Sequence, residues 1–415
     1  MPDQRVRLRG ICWDHARCVK PMAAAAAVWR SVRGVEVAWD ARPLSAFNDQ
    51  AVEELAADYD LIVFDHPMVG AAARAGCLAP LDDLLPDEVL DAHAADTVGG
   101  SHASYQYAGH QWGLAVDAAC QVAAFRPDLL AAHEVEVPAT WDDVVALARA
   151  LPGKVVLPLY PADAFCSLLT ISASLGTPLD AEASGFHRDA VALLATLAQV
   201  VDRSSFSLNP PALLDRMTSD DAIVYVPLLF GYTNYSRPST SGRPVRFTNI
   251  PTTGIPTASS PGGCARHLTT TGARGADASA VGTGEATGPR GSTLGGAGIG
   301  VSATSAHRVE AAAFASWVSG TTAQRYVVLP NEGQPASAAT WSDPEADALV
   351  GGFFRDTRAT MDAVWTRPRT PWWRAFQEEA SGLLAEELSA GSAPAEIVRV
   401  LDRLLDDHRR ARDGR

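Results

Sequence analysis

The chain has 415 residues, of which 47% are hydrophobic and 20% charged, so it is long enough to bury two separate cores. Its formal net charge of -14 argues against partners that are recognised by clustered Lys and Arg, so we expect no nucleic-acid partner and no anionic membrane surface. No window of about 18 continuous apolar residues occurs, which argues against a membrane-spanning helix.

Strand and helix patterns alternate through the first 85 residues. Residues 6–12, 35–39 and 61–64 predict strands, and residues 22–32 and 51–57 predict helices between them, with the first helix entered after a proline. Strands separated by helices favour right-handed crossovers. This part of the chain therefore predicts a mainly parallel sheet covered by helices on both faces.

Beyond residue 117 the sequence predicts further helices and strands and one segment of different composition. Predicted helices cover residues 141–151, 165–175, 186–201, 306–318, 361–364, 372–388 and 394–407, and predicted strands cover residues 155–159, 222–227, 246–250 and 297–301. Residues 251–291 are rich in Gly, Ser, Thr, Ala and Pro and have almost no large apolar side chain. Such a segment cannot offset its own ordering entropy, so we expect a flexible insertion there.

Four segments together resemble one known family. They are an opening strand at residues 8–15, a strand at 59–66 that runs into 76–81, a crossover at 112–117 that leads into 122–130 and 138–143, and the glycine run at 294–302. In this order and at these distances they resemble family 1 of the bacterial extracellular solute-binding proteins, the carbohydrate-type substrate-binding proteins of ABC transporters.

The resemblance implies a two-lobed α/β fold of the type II periplasmic-binding-protein kind, in which each lobe is a mainly parallel sheet flanked by helices. The expected lobes are residues 1–115 and 116–245, a return to the first lobe at 246–305, and C-terminal helices of the second lobe at 306–415. Crossing strands would form a hinge that closes on the ligand. A monomer is the expected state, without metal or cofactor.

The function implied is binding for an ABC-type importer, with a sugar or polyol as ligand and permease subunits as partners if the protein is exported. Sugar recognition needs planar polar side chains for the hydroxyls and aromatic faces for the C–H patches of the ring. The candidates in the first lobe, at predicted strand ends, are Trp13, Asp14, His15, Asp65 and His66. The remaining candidates are Asp117, Tyr160, Phe230, Tyr232, Gly295 and Gly296, and Gln334, which follows from the family's late loop.

Several candidates also have a structural interpretation. Asp14 could cap the helix that follows it, and Asp65 could cap a turn. Trp13 and Phe230 could belong to the core, and Asp117 could make a hydrogen bond within the hinge.

Two other functions stay open at this level. The Asp-His pairs Asp14–His15 and Asp65–His66 could serve a metal-dependent hydrolase, although no G-x-S-x-G, H-E-x-x-H or phosphate-loop motif is present. A cytoplasmic ligand sensor with the same fold is the second alternative. The chain shows no apolar leader before its first strand, so a cytoplasmic location is expected as encoded, and an extracytoplasmic one if the true start lies upstream.

Overall fold

The computed structural model describes residues 6–44, 47, 50–180, 185–239, 243, 245–252 and 288–413. Most of the expected insertion at 251–291 lies outside these described residues. The strands are β1 (Arg7–Trp13), β2 (Glu36–Arg42), β3 (Leu61–Phe64), β4 (Gln106–Tyr107), β5 (His110–Gln111), β6 (Leu114–Phe125), β7 (Tyr225–Phe230), β8 (Arg246–Thr248) and β9 (Leu294–Val301).

Helices cover both faces of the main sheet. They are α1 (Ala16–Arg33), α2 (Val52–Ala56), α3 (Val69–Ala75), α4 (Asp87–Ala95), α5 (Pro127–Ala132), α6 (Trp141–Ala150), α7 (Pro161–Ser174), α8 (Arg188–Val200), α9 (Pro210–Ser219), α10 (Arg308–Ser319), α11 (Thr321–Ala323), α12 (Ala338–Ser342), α13 (Pro344–Leu349), α14 (Phe353–Asp362), α15 (Trp373–Ala390) and α16 (Pro394–Asp413). In the part of the chain described, no helix is both long and apolar enough to cross a bilayer.

The main sheet has the strand order β2-β1-β3-β9-β6-β7, and β8 also pairs with β6. Pairing is parallel between β1 and β2 and between β1 and β3, as the alternating pattern predicts. The pairs of β9 with β3 and β6, and of β6 with β7 and β8, are antiparallel. The expectation of a mainly parallel sheet therefore holds for the first strands and not for those of the second half.

Strand β6 joins the two parts of the sheet. Its first half, from Leu114 to Cys120, pairs with β9, and its second half, from Gln121 to Phe125, pairs with β7 and β8. All of its residues except the last are buried, because both faces are covered. A strand of 12 residues that is shared in this way makes a continuous backbone link between the two groups of elements.

One hydrophobic core of the described residues runs across this link and holds residues of β1, β3, β6, β7 and β8. Two further cores lie on either side of it. One of these holds residues of β1, β3 and α1 together with α10, and the other holds residues of α7, α8, α15 and α16. The packing places α10 with the first strands, whereas the expectation assigned residues 306–415 to the second lobe. The lobe boundaries themselves stay a prediction.

Two local features differ from the sequence pattern. Helix α1 begins at Ala16 and contains Pro21, which was expected to precede it. The proline therefore lies in the helix interior, where it cannot donate a backbone hydrogen bond to the preceding turn. The strand expected at 155–159 is reduced to a single parallel bridge between Val155 and Tyr225.

Candidate ligand-binding site

A cavity of about 300 Å³ opens at the carboxyl ends of β1 and β3. These strands form one wall, β6 and β9 form the floor, and α7, α15 and the chain after β7 form the opposite wall. Ligand sites in open α/β sheets collect at this edge. The volume lies at the small end of the range of about 300–1,000 Å³ for small-molecule sites.

Most of the residues expected to bind ligand line this cavity. They are Trp13, Asp65, Asp117, Tyr160, Phe230, Tyr232, Gly295 and Gly296. They come from segments far apart in the sequence, and the fold brings them together. Their contact with a ligand remains a prediction.

The other four expected residues lie outside the cavity wall. Asp14 is exposed and does not cap α1. His15 is the cap, because its Nδ1 accepts a hydrogen bond from the backbone N–H of Arg17 at 3.1 Å. His66 is buried behind Asp65, and burial lowers its pKa to about 4, so the ring is neutral at pH 7.

Gln334, the fourth of these residues, is fully buried and connects three backbone segments. Its side-chain nitrogen donates to the carbonyl oxygens of Ala118 and Gly231, and its oxygen accepts from the N–H of Thr233. The side chain therefore fixes the chain after β7 against β6, and its contact with a ligand remains a prediction.

A buried ion pair crosses the floor of the cavity. Arg17 donates from Nε and Nη2 to the two carboxylate oxygens of Asp117, at 2.7 and 2.6 Å. Its remaining nitrogen donates to the carbonyl oxygen of Gly231, and its guanidinium lies 4.5 Å from the ring centroid of Tyr232. Arg17 thus ties the start of α1 to β6 and to the chain after β7.

The position of Asp117 depends on an irregularity in the sheet. The register between β6 and β9 shifts between Ala115 and Asp117. Gly296, which pairs with Ala118 just beyond the shift, has φ 102°, a conformation that residues with a Cβ rarely adopt. A shift of this kind re-aims the side chains next to it, and here Asp117 reaches both the cavity and Arg17.

A second buried ion pair lies at the end of β3. Arg367 donates to Asp65 at 2.7 Å and also reaches the side-chain oxygen of Gln377 on α15. Burial alone would raise the pKa of Asp65, but the charges of Arg367 and His66 and their hydrogen bonds hold it at about 2. The carboxylate is therefore ionised at neutral pH, and the pair links β3 to the start of α15.

The apolar surface of the cavity is mainly aromatic. Trp13 packs against Phe47 with ring centroids 5.0 Å apart, and Tyr232 packs against His15 at 5.1 Å. Phe230 is half-buried and faces the cavity beside Gly295. Flat faces next to charged hydrogen-bonding groups can bind the C–H and the O–H surfaces of one small ligand.

The charged residues of the cavity that were not among the expected site residues are Arg17, Asp163, Arg367, Arg374 and Glu378. Arg17 lies 100 residues from its partner Asp117, and Arg367 lies 302 residues from Asp65, so no local pattern joins them. Asp163 is the third residue of α7, a position that the sequence suggests only as a helix-start acid. The one available signal was that Arg17 falls just after the first strand end.

A comparison with models of known protein families identifies one family. The model for bacterial extracellular solute-binding proteins matches residues 30–348. No curated protein matches the chain.

Solved structures of similar fold cover nearly the whole chain. An ABC transporter solute-binding protein from Agrobacterium radiobacter K84 in complex with ribitol has a TM-score of 0.74 at 17% identity, covering 98% of both chains. One from Thermotoga lettingae TMO bound with alpha-D-tagatose has a TM-score of 0.76 at 13% identity, covering 97% of this chain and 99% of its own. One from Agrobacterium vitis S4 with D-mannitol has a TM-score of 0.75 at 14% identity, covering 98% of both.

These likenesses confirm the expected two-lobed α/β fold. The family match covers well over half of the sequence, including β6, β7 and β9, which line the cavity. The chain belongs to the bacterial extracellular solute-binding protein family.

Proposed function

We propose that this protein is the substrate-binding component of an ABC-type importer and that it binds a sugar or polyol in the cavity. The observation that carries the proposal is the composition of the cavity wall. Aromatic faces of Trp13, Phe230 and Tyr232 lie beside the charged groups of Asp65 and Asp117. Small polyhydroxylated molecules present apolar C–H patches and hydroxyls, and both find a partner in such a wall.

The similar structures support this ligand class. Those cited above hold ribitol, D-mannitol and alpha-D-tagatose, all of them small polyhydroxylated molecules. The cavity, at about 300 Å³, suits ligands of that size better than long oligosaccharides. Asp65 and Asp117 each already pair with an arginine, which argues against the metal-dependent hydrolase considered from the sequence.

We also propose that ligand binding closes a hinge. The first lobe would comprise residues 1–115 and 246–305 together with α10, and the second would comprise 116–245 and the C-terminal helices. Strands β6 and β9 cross between them, and the cavity lies beside these crossings. Closure would bring second-lobe aromatics such as Phe230 over polar groups of the first lobe. Extracellular location and permease subunits as partners follow from the family.

The proposal is tested by a thermal-shift screen of the purified protein against sugars, polyols, amino acids and divalent metals, followed by titration calorimetry. A ligand at a hundred times its Kd adds about 2.7 kcal/mol of stability, which gives a clear shift. We expect shifts with a sugar or polyol. Shifts only with metals or only with amino acids would contradict the proposal.

Two aromatic residues, one inside the cavity and one outside it, give matched variants for the calorimetry. Phe230→Ala should weaken binding of the identified sugar or polyol about tenfold, because the stacking face is lost. Tyr326→Ala removes an aromatic side chain that is 69% exposed and does not line the cavity, so affinity should not change. Equal affinities for the two variants would place the ligand elsewhere.

A further inference from the structure

The charged side chains around the cavity are almost all paired with one another. Arg17 pairs with Asp117 at 2.6 Å, and Arg367 with Asp65 at 2.7 Å. Nearer the surface, Arg374 pairs with its neighbour Glu378, one helical turn along α15, at 3.3 Å. Each of these carboxylates therefore has an arginine as its counter-charge within the protein.

Asp163 is the exception. It lines the cavity from the first turn of α7, and only 8% of its surface is exposed. Among the residues that the structure describes, its carboxyl group makes no ion pair or side-chain hydrogen bond. Burying a carboxylate without a partner costs free energy of folding. Such a group in a native protein therefore needs an explanation, such as a bound proton, a ligand or an ion.

The neighbouring titratable groups do not compensate for Asp163. Burial raises the pKa of both Cys166 and Tyr232 to about 12, so both are neutral at pH 7. Burial, with the charge of Arg17, lowers the pKa of His15 to about 4, so this ring is neutral too. The three arginine–carboxylate pairs cancel, and the cavity has one carboxyl group in excess of its arginines.

We propose that the ligand of this cavity carries a protonated amine beside its hydroxyls, as an amino sugar or amino polyol does, and that the amine donates a hydrogen bond to Asp163. The inference rests on the proposed function and narrows its ligand class. An ammonium group would supply the counter-charge that an ionised Asp163 lacks among the described residues, and its N–H would donate to this carboxyl. The hydroxyls of the same molecule would meet the paired groups and its C–H faces the aromatic wall.

Binding of an amine should also change the protonation of Asp163. Burial raises the pKa of Asp163 to about 8, so at pH 7 the empty protein holds a proton on this carboxyl for most of the time. An ammonium group favours the ionised carboxylate and lowers that pKa, so binding must release the proton. A neutral polyol has no such effect.

The test compares ligands that differ in one group. Glucamine is paired with sorbitol, and glucosamine, galactosamine and mannosamine are each paired with their parent hexose, in titration calorimetry at pH 7. Two buffers of different ionisation enthalpy, neither with a primary amine, report the protons exchanged. We expect at least one amine to bind about tenfold or more tightly than its hydroxyl partner, since hydrogen bonds between charged groups are the strong ones. Close to one proton should be released for each glucamine bound, if glucamine is that ligand.

Two variants locate the effect. Asp163→Asn keeps the shape of the side chain, and it should abolish both the preference for the amine over its hydroxyl partner and the proton release. Glu378→Gln removes a carboxylate that already pairs with Arg374, so the preference should persist. Thermal melts of both proteins confirm that they fold.

The outcomes separate this inference from the function on which it rests. Neutral sugars or polyols that bind as tightly as their amines, with no proton release, would overturn the amine proposal and leave the sugar-binding function standing. A preference for the amine that survives in Asp163→Asn would also overturn it. If no sugar, polyol or amino derivative binds, the proposed function fails together with the inference.

Discussion

Replacing Asp117 with Ala should destabilise the protein by about 3–5 kcal/mol, the usual cost of removing one partner from a buried ion pair. Arg17 is 4% exposed, and two of its nitrogens donate to this carboxylate. Without Asp117 the guanidinium stays charged and buried, and among the described residues its remaining hydrogen-bond acceptor is the carbonyl oxygen of Gly231. Urea denaturation gives the loss as the difference in unfolding free energy.

A double-mutant cycle shows whether the unpaired charge of Arg17 causes this loss of stability. Removing both charges, in Arg17→Met with Asp117→Ala, should leave a protein more stable than Asp117→Ala alone, because no uncompensated charge remains. A loss below about 1 kcal/mol in Asp117→Ala would match a solvent-exposed pair and contradict the buried geometry.

The glycine run offers the second large effect. Gly296 has φ 102°, and a Cβ there would lie 2.3 Å from the backbone carbonyl oxygen of Asp117. Backbone cannot move aside as a side chain can, and the conformation is itself strained for alanine. We expect Gly296→Ala to cost more than about 4 kcal/mol, in the range reached by few single substitutions.

Gly295 is the matched control for this experiment. A Cβ there would meet the ring of Phe230 at 2.6 Å, and the backbone carries no positive φ. The ring can rotate, so Gly295→Ala should cost less than about 2 kcal/mol, at the level of modest overpacking. Its larger effect should be on ligand affinity, because Phe230 faces the cavity. Equal destabilisation by the two alanines, measured by urea denaturation, would contradict the backbone clash.

The sequence predicted the residues of the site best at the ends of strands. Trp13 and Asp65 follow β1 and β3, and the carboxyl ends of parallel neighbours meet at one edge of a sheet, so their proximity followed from the pattern. His15 occupies the same junction, but its imidazole nitrogen caps α1. A cap and a ligand contact at a strand–helix junction give the same sequence signal.

The electrostatics of the site could not be predicted from the sequence. Asp117 was expected to hold a ligand hydroxyl, with a hinge hydrogen bond as the alternative, and both of its oxygens accept from Arg17. That partner, and Arg367 for Asp65, come from distant segments that only the tertiary fold brings together. The unpartnered state of Asp163 is likewise a property of its surroundings in the fold, because nothing in the pattern of α7 distinguishes it from an ordinary acid in a helix's first turn.

The fold was predictable in outline and less so in its second half. Alternating strands and helices in the first 85 residues correctly predicted the parallel pairing of β1 with β2 and β3. The antiparallel pairing of β6 and β9 depends on the direction in which the chain returns to the sheet after the long segment between these strands. The pattern of apolar residues does not encode that direction. The glycine run was expected to enter a strand, and it forms most of β9 itself.

The most direct test of ligand binding in this cavity is a crystal structure of the protein with the tightest-binding sugar, polyol or amino derivative from the titrations. We expect the ligand in the cavity, with its C–H face on Phe230 and its polar atoms within about 3.2 Å of the surrounding polar groups, including Asp163 if the ligand carries an amine. A ligand bound at another surface, with this cavity filled by water alone, would contradict it.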